Sequence, residues 1–272
     1  MRIRIVLVLL LLSVTPAFAQ LSVHGRLMDD RTVRPGDRYA GSFLVRNDSN
    51  TPRDVQVLQH DYRLDSDSLA TLRPPATHRR SNAGWIVVSP SRFSVAPGEA
   101  RRVDYDITVP ARLKGAPPAG SYRSLLSVSD LAIESTHGAF QFIADAVASP
   151  ATHDVRQSVQ LATHIEGTGH ANLLFRGVDV HDEAGVRIMT ADLENTGDVM
   201  IEPLISVELY TPAGELVERH QAMSLRLYPG DSLRHRLPLD TLNAGSYEAL
   251  IVVDAGGENI FGAQYTLNVT AW

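Results

Sequence analysis

The stretch Pro97-Gly98-Glu99-Ala100-Arg101-Arg102-Val103-Asp104-Tyr105-Asp106-Ile107-Thr108-Val109-Pro110 decides the fold. It opens on a Pro-Gly turn and stops at a proline. Between them Val103, Tyr105, Ile107 and Val109 fall on one face, and Arg102, Asp104, Asp106 and Thr108 on the other. Period-two alternation between turn signals marks a half-buried strand. Working outward, the same punctuation occurs twice. Asn47, Pro97-Gly98-Glu99 and Ala119-Gly120-Ser121-Tyr122 follow in order in the first half; Asn195, Pro229-Gly230-Asp231 and Ala244-Gly245-Ser246-Tyr247 follow in the second. Each Asn closes an alternating run, each Pro-Gly-acid opens one, and each Gly-Ser-Tyr precedes another.

The remaining runs agree. Gly41 to Arg46 leads into the turn cluster Asn47-Asp48-Ser49-Asn50, Ile86-Val87-Val88 reaches Pro90, and Tyr122, Ser124, Leu126 and Val128 alternate after Gly120. In the second half Val186 to Leu193 ends at Glu194-Asn195-Thr196-Gly197, and Ala249 to Val253 and Tyr265 to Val269 close the chain. Gly, Pro and Asn recur too often for a helix of more than about two turns. The expected fold is all-β: two tandem immunoglobulin-like β-sandwich domains, residues 20–167 and 168–272, after a cleaved signal peptide. Leu242-Asn243-Ala244-Gly245-Ser246-Tyr247 reads as a tyrosine corner, with Pro118 to Tyr122 as a looser version.

Residues 1–19 read as the signal peptide. Arg2 and Arg4 precede an apolar run from Ile5 to Leu12, and Ala17-Phe18-Ala19 ends the segment before Gln20. That run is too short for a permanent membrane anchor, and no later stretch suggests a span. The expected location is periplasmic or extracellular. The chain has no cysteine, so each domain must be held by its own core. The net charge of −6 and the lack of a basic tract point away from nucleic acid.

Chemistry is sparse. Ten histidines invite a search for metal ligands, but no H-x-H, H-E-x-x-H or cysteine pair is present. His164 and His170 flank a glycine-rich link, and His181-Asp182-Glu183 sits in an expected turn. No G-x-S-x-G elbow or phosphate-binding glycine loop occurs. No catalytic residue, metal or cofactor is therefore expected. Arg79-Arg80 with Trp85, and Arg101-Arg102, could form a basic-aromatic patch; a strand-opening tryptophan packed in a core is the plainer reading.

The run Trp85-Ile86-Val87-Val88-Ser89-Pro90-Ser91-Arg92-Phe93-Ser94-Val95-Ala96-Pro97-Gly98-Glu99, continuing into Arg102-Val103, resembles the first domain of PapD-like periplasmic pilus-assembly chaperones. It also resembles a broader group of exported immunoglobulin-like two-domain proteins. The chaperone resemblance implies that an edge strand of the first domain is lent to a secreted pilin-like subunit. The matching strand here follows Leu131–Asp154, with Val155, Val159, Leu161 and Ile165 on one face as the donor residues. Arg156, Ser158, Gln160, Ala162, His164 and Glu166 lie on the other. The resemblance also implies a basic anchor for the subunit's terminal carboxylate, for which Arg26 is the match. His164 and Glu166 stand where a second cation would be. The preceding loop, with Phe140, Phe142 and Ile143, reads either as a lip beside the donated surface or as a hairpin on its own domain. The expected function is a non-catalytic, chaperone-like protein binding surface or pilus-type subunits by strand addition. The alternative is a structural or adhesive envelope protein binding wall polymer or another surface protein.

Overall fold

The computed structural model describes residues 21–66, 69–131, 139–143, 146–148, 157–223, 225–239 and 242–269. The signal-peptide segment lies outside them. The first sandwich begins with β1 (Leu21–His24), β2 (Met28–Val33), β3 (Arg38–Asn47), β4 (Arg53–Leu64) and β5 (Leu69–Arg73). A single 3-10 turn, Ala83–Trp85, leads into β6 (Ile86–Ser89), β7 (Arg92–Val95) and β8 (Ala100–Thr108). Then come β9 (Gly120–Asp130), β10 (Ala139–Ile143), β11 (Ala146–Ala148) and β12 (Gln157–Ile165). The second sandwich holds β13 (Leu173–Glu183), β14 (Val186–Asn195), β15 (Leu204–Tyr210), β16 (Leu216–Met223), β17 (Ser232–Pro238), β18 (Gly245–Asp254) and β19 (Ile260–Val269).

One sheet of the first sandwich runs β1-β3-β8-β6; the other runs β11-β10-β5-β4-β9-β12-β2, with β7 against β4. The second sandwich packs β13-β14-β17 against β16-β15-β18-β19. At two short breaks the chain passes from one sheet of the first sandwich straight into the other. β1 and β2 part at Gly25, whose φ of 120° suits glycine, and β6 and β7 part at Pro90. β10 pairs with β11 on one side and with β5 on the other, both antiparallel.

The alternation read in β8 is the alternation observed: Val103, Tyr105 and Ile107 are buried while Arg102, Asp104 and Asp106 are exposed. With Phe43, Val45, Val55, Leu126 and Val128 they form the first core. Leu193, Ile205, Val207, Leu209, Leu227 and Ile251 centre the second. Each such side chain, fully buried, contributes roughly 1.5–3 kcal/mol. β9 departs from the sequence reading, because it is buried along its whole length and on both faces.

The repeated punctuation proves to be one hydrogen-bond bracket built twice. Asn47 N–H donates to the Glu99 carbonyl (2.9 Å) and Gly98 N–H to the Asn47 carbonyl (2.8 Å); Asn195 and Asp231 (2.9 Å), then Gly230 and Asn195 (2.8 Å), repeat it. The buried Asn47 Nδ2 donates to Thr51 and Val95 carbonyls, and the buried Asn195 Nδ2 to those of Val199 and Leu227. Each buried amide thus ties two carbonyls across its loop. The tyrosine motifs differ. Tyr247 donates to the Asn243 carbonyl at 3.1 Å, as a corner tyrosine does. Tyr122 instead packs on Trp85, ring centroids 4.7 Å apart, beside Val109 and Ile165.

Candidate partner-binding site

β12 is antiparallel to β9 from Gln157 to Ile165, but β2 runs beside it only from Gln160 onward. The Gln160 N–H donates to the Leu27 carbonyl (2.8 Å) and Glu166 N–H to that of Val33 (2.9 Å). Backbone groups alternate sides along a strand, so those of Ser158 also face away from β9. Continuing the parallel register sets Ser158 level with Arg26, in the bend where β1 has ended and β2 has not begun. The Gln157 side chain accepts from Val23 N–H of β1. Ser158 Oγ is buried with no hydrogen-bond partner among the described residues. Among the described residues, then, no strand pairs with β12 on the side away from β9 before Gln160, and Ser158 there is buried.

The expected donor residues do not share that edge. Val159 and Leu161 are wholly buried in the first core, and Ile165 packs with Val109 and Tyr122. Val155 lies outside the described residues. From Gln160 to Ile165 the strand is bordered on both sides, so its backbone is committed there. Arg26 is two-thirds exposed, and its guanidinium reaches Asp29 at 3.5 Å. Asp29 itself is buried, paired with Arg31 at 2.9 Å and accepting from Tyr105 Oη at 2.8 Å. Gly41 makes that reach possible, because a Cβ there would lie 2.1 Å from the Tyr105 hydroxyl. Glu166 pairs with Arg34 at the surface (2.7 Å).

Beside this edge the second sandwich presses on the first through polar groups. Arg123 of β9 is buried between the rings of Tyr62 (3.9 Å) and Tyr228 (4.3 Å), and pairs with Asp231. Asp231 also accepts from Leu64 N–H (3.1 Å) and Tyr228 N–H (3.3 Å). Burial opposes the charge on Arg123, yet Asp231 outweighs it and its pKa is raised. Burial also pushes the Tyr62 and Tyr228 hydroxyls well above the usual range. Tyr228 Oη accepts from Gln160 Nε2 (2.8 Å) and donates to Asp30 Oδ1 (3.3 Å). Asp30 is paired with Arg226. Burial alone would raise Asp30, but His164 and Arg226 beside it hold its carboxyl below the ordinary value.

His164, read on the strand face opposite Val159 and Leu161, lies within β12 and is largely buried. Its Nδ1 is 2.8 Å from Ser121 Oγ and its Nε2 is 3.6 Å from Asp30. The set has the outline of a serine–histidine–acid relay. Ser121 is buried, however, and its Oγ accepts from Met200 N–H of the second sandwich at 2.8 Å, so it closes an interface and faces no substrate. Next to it Gly120 (φ 76°) lets the chains touch: a Cβ there would sit 2.1 Å from the Asp198 carbonyl oxygen, which accepts from Ser121 N–H. Arg80 pairs with Asp198.

The basic-aromatic patch is not assembled. Arg80 turns inward to Asp198, Trp85 packs against Tyr122, and Arg102 lies on the outer face of β8. His181 belongs to β13, and the turn beyond it is Ala184-Gly185, both at positive φ. Among the described residues no group of three or more His, Cys, Asp or Glu side chains could hold a metal ion. Likewise no helix is long and apolar enough to cross a membrane. Sequence reading missed Arg123, Tyr62, Tyr228, Asp30 and Asp231 as a group. One signal existed, since Tyr228 and Asp231 sit in the second bracket where the first has Ala96 and Glu99.

No family model matches the chain, and no curated protein does. Solved structures are similar in fold. A chain of the chaperone–tip adhesin complex of CFA/I fimbriae biogenesis aligns with TM-score 0.43 and 11% identity, over 93% of this chain and 100% of that one. A chain of the CsuC–CsuE chaperone–tip adhesion subunit complex of Acinetobacter baumannii Csu pili aligns with TM-score 0.41 and 14% identity, over 93% and 100%. The PapD-like domain 7 of human CEP192 aligns with TM-score 0.33 and 12% identity, over 60% and 97%. At these scores the likenesses carry no argument about what this chain binds.

Proposed function

We propose that the chain is an exported, non-catalytic, chaperone-like protein that binds secreted surface or pilus-type subunits by β-strand addition at the start of β12. The observation that carries this reading is that, among the described residues, no strand pairs with the outer edge of β12 at Ser158, level with exposed Arg26, where β1 has left and β2 has not begun. A subunit strand there gains main-chain hydrogen bonds, and Arg26 can receive a carboxylate. The leader ending at Ala19 directs export, and the units divide at 167/168.

Ser158→Pro tests this. It removes an N–H on the side away from β9 and leaves the β9 pairing intact, which proline tolerates at an edge. Capture of pilin-type subunits from an envelope extract should be lost with little change in Tm, while Ser158→Ala retains both. In the wild-type complex the amides around Ser158 should gain hydrogen-exchange protection. Undiminished capture by Ser158→Pro, without new protection there, rejects strand addition.

A second reading is a structural or adhesive envelope module. It is favoured by the burial of Val159, Leu161 and Ile165 in the chain's own cores and by the β2 cover over Gln160–Ile165. That reading expects wall-polymer or surface-protein binding that Ser158→Pro leaves unchanged.

A further inference from the structure

The two brackets superpose residue for residue in their hydrogen bonds, so the positions where they differ stand out. In the first, Val95 accepts from Asn47 Nδ2, and Ala96 and Glu99 beyond it are exposed. In the second, Leu227 accepts from Asn195 Nδ2, and Tyr228 and Asp231 are buried against the first sandwich. The same turn thus carries an idle surface pair in one sandwich and a buried polar pair in the other. The turn is braced on both sides, by Asn195 and by the Ile201–Leu227 bridge, so Tyr228 emerges in a fixed direction.

From the bracket and the contacts of its hydroxyl, we infer that Tyr228 is a positioning residue that holds the start of β12 from the second sandwich. Its Oη joins Gln160 of β12 to Asp30 of β2. Gln160 is the first residue at which the two strands pair, so the tether grips β12 where its pairing with β2 begins. Its ring, stacked on Arg123, keeps the hydroxyl from swinging away. Because Gln160 and Asp30 are both largely shielded from solvent, water replaces the hydroxyl poorly. The edge next to Ser158 is therefore set by a residue of the other sandwich. This rests on the strand-addition reading for its consequence, but not for the tether itself.

Amide hydrogen exchange on the free protein separates the two. Tyr228→Phe keeps the ring on Arg123 and deletes only the hydroxyl. Exchange at Gln160 and Ala162 should quicken about tenfold, the change expected for one lost buried hydrogen bond, with Ile251 in the second core unchanged. Gln160→Leu removes the tether from the β12 side without touching the Arg123 stack, and should reproduce the same local pattern. Unchanged exchange in both variants, or a uniform acceleration that includes Ile251, overturns the inference. If exchange quickens locally and Ser158→Pro still captures subunits, the tether stands and strand addition falls.

Discussion

Asp231 and Glu99 occupy equivalent places in the two brackets and carry the same charge, yet their surroundings give them opposite weights. Glu99 is exposed, and an exposed carboxylate is worth little. Asp231 holds a guanidinium that has left water altogether. Asp231→Ala should cost about 3–5 kcal/mol, because it strands the buried charge of Arg123, whereas Glu99→Ala should stay within about 0.5 kcal/mol. Urea unfolding of the two variants measures both. Equal effects would mean that Arg123 finds another partner or water.

At the scale of the element, β12 does two jobs along nine residues. One face supplies core through Val159 and Leu161, and the edge away from β9 meets β2 only from Gln160 onward. Replacing Val159 and Leu161 with Ser leaves cavities and places hydroxyls among apolar neighbours. The double variant should lose several kcal/mol, at about 2–5 kcal/mol for each large-to-small change in a core, and its Tm should fall steeply. A nearly unchanged melt would mean that neither side chain fills the core. The second sandwich also guards an edge. β17 ends in Pro238, its Arg234 N–H is taken by the Ser66 carbonyl across the interface, and Arg234 pairs with Asp192.

For the whole molecule, acid should act in two windows. Burial, with Arg123 nearby, lowers the pKa of His78, and burial with His220 lowers that of His235. The unfolded chain then binds more protons below the ordinary histidine value of about 6.5, so stability is full above that pH and declines as pH falls through it. Asp30, held below its ordinary value, adds stability that is present above about pH 4 and lost as pH drops through its folded value. Denaturant midpoints between pH 8 and pH 3 should show both declines. In the double variant His78→Gln/His235→Gln the upper one should flatten, and an unaltered upper decline would assign it elsewhere.

Much of the architecture was legible because it is written in short-range terms. Alternation in Val103 to Val109 needs only the two-residue period of a strand, and Asn47 and Asn195 mark brackets because turn chemistry is local. The start of β12 was legible only as a pattern. Val159 and Leu161 alternate correctly for a donated strand and for a core strand alike, and the period cannot say which face meets the chain's own interior. Tertiary structure alone decided that β2 stops short of Ser158, that Tyr228 reaches Gln160, and that Arg123 is shared with Asp231, 108 residues away. By itself the sequence determined where strands start, stop and alternate, because those follow from neighbouring residues. Where a strand finds its neighbour and which charge is buried depend on partners far along the chain, and only folding brings those partners together.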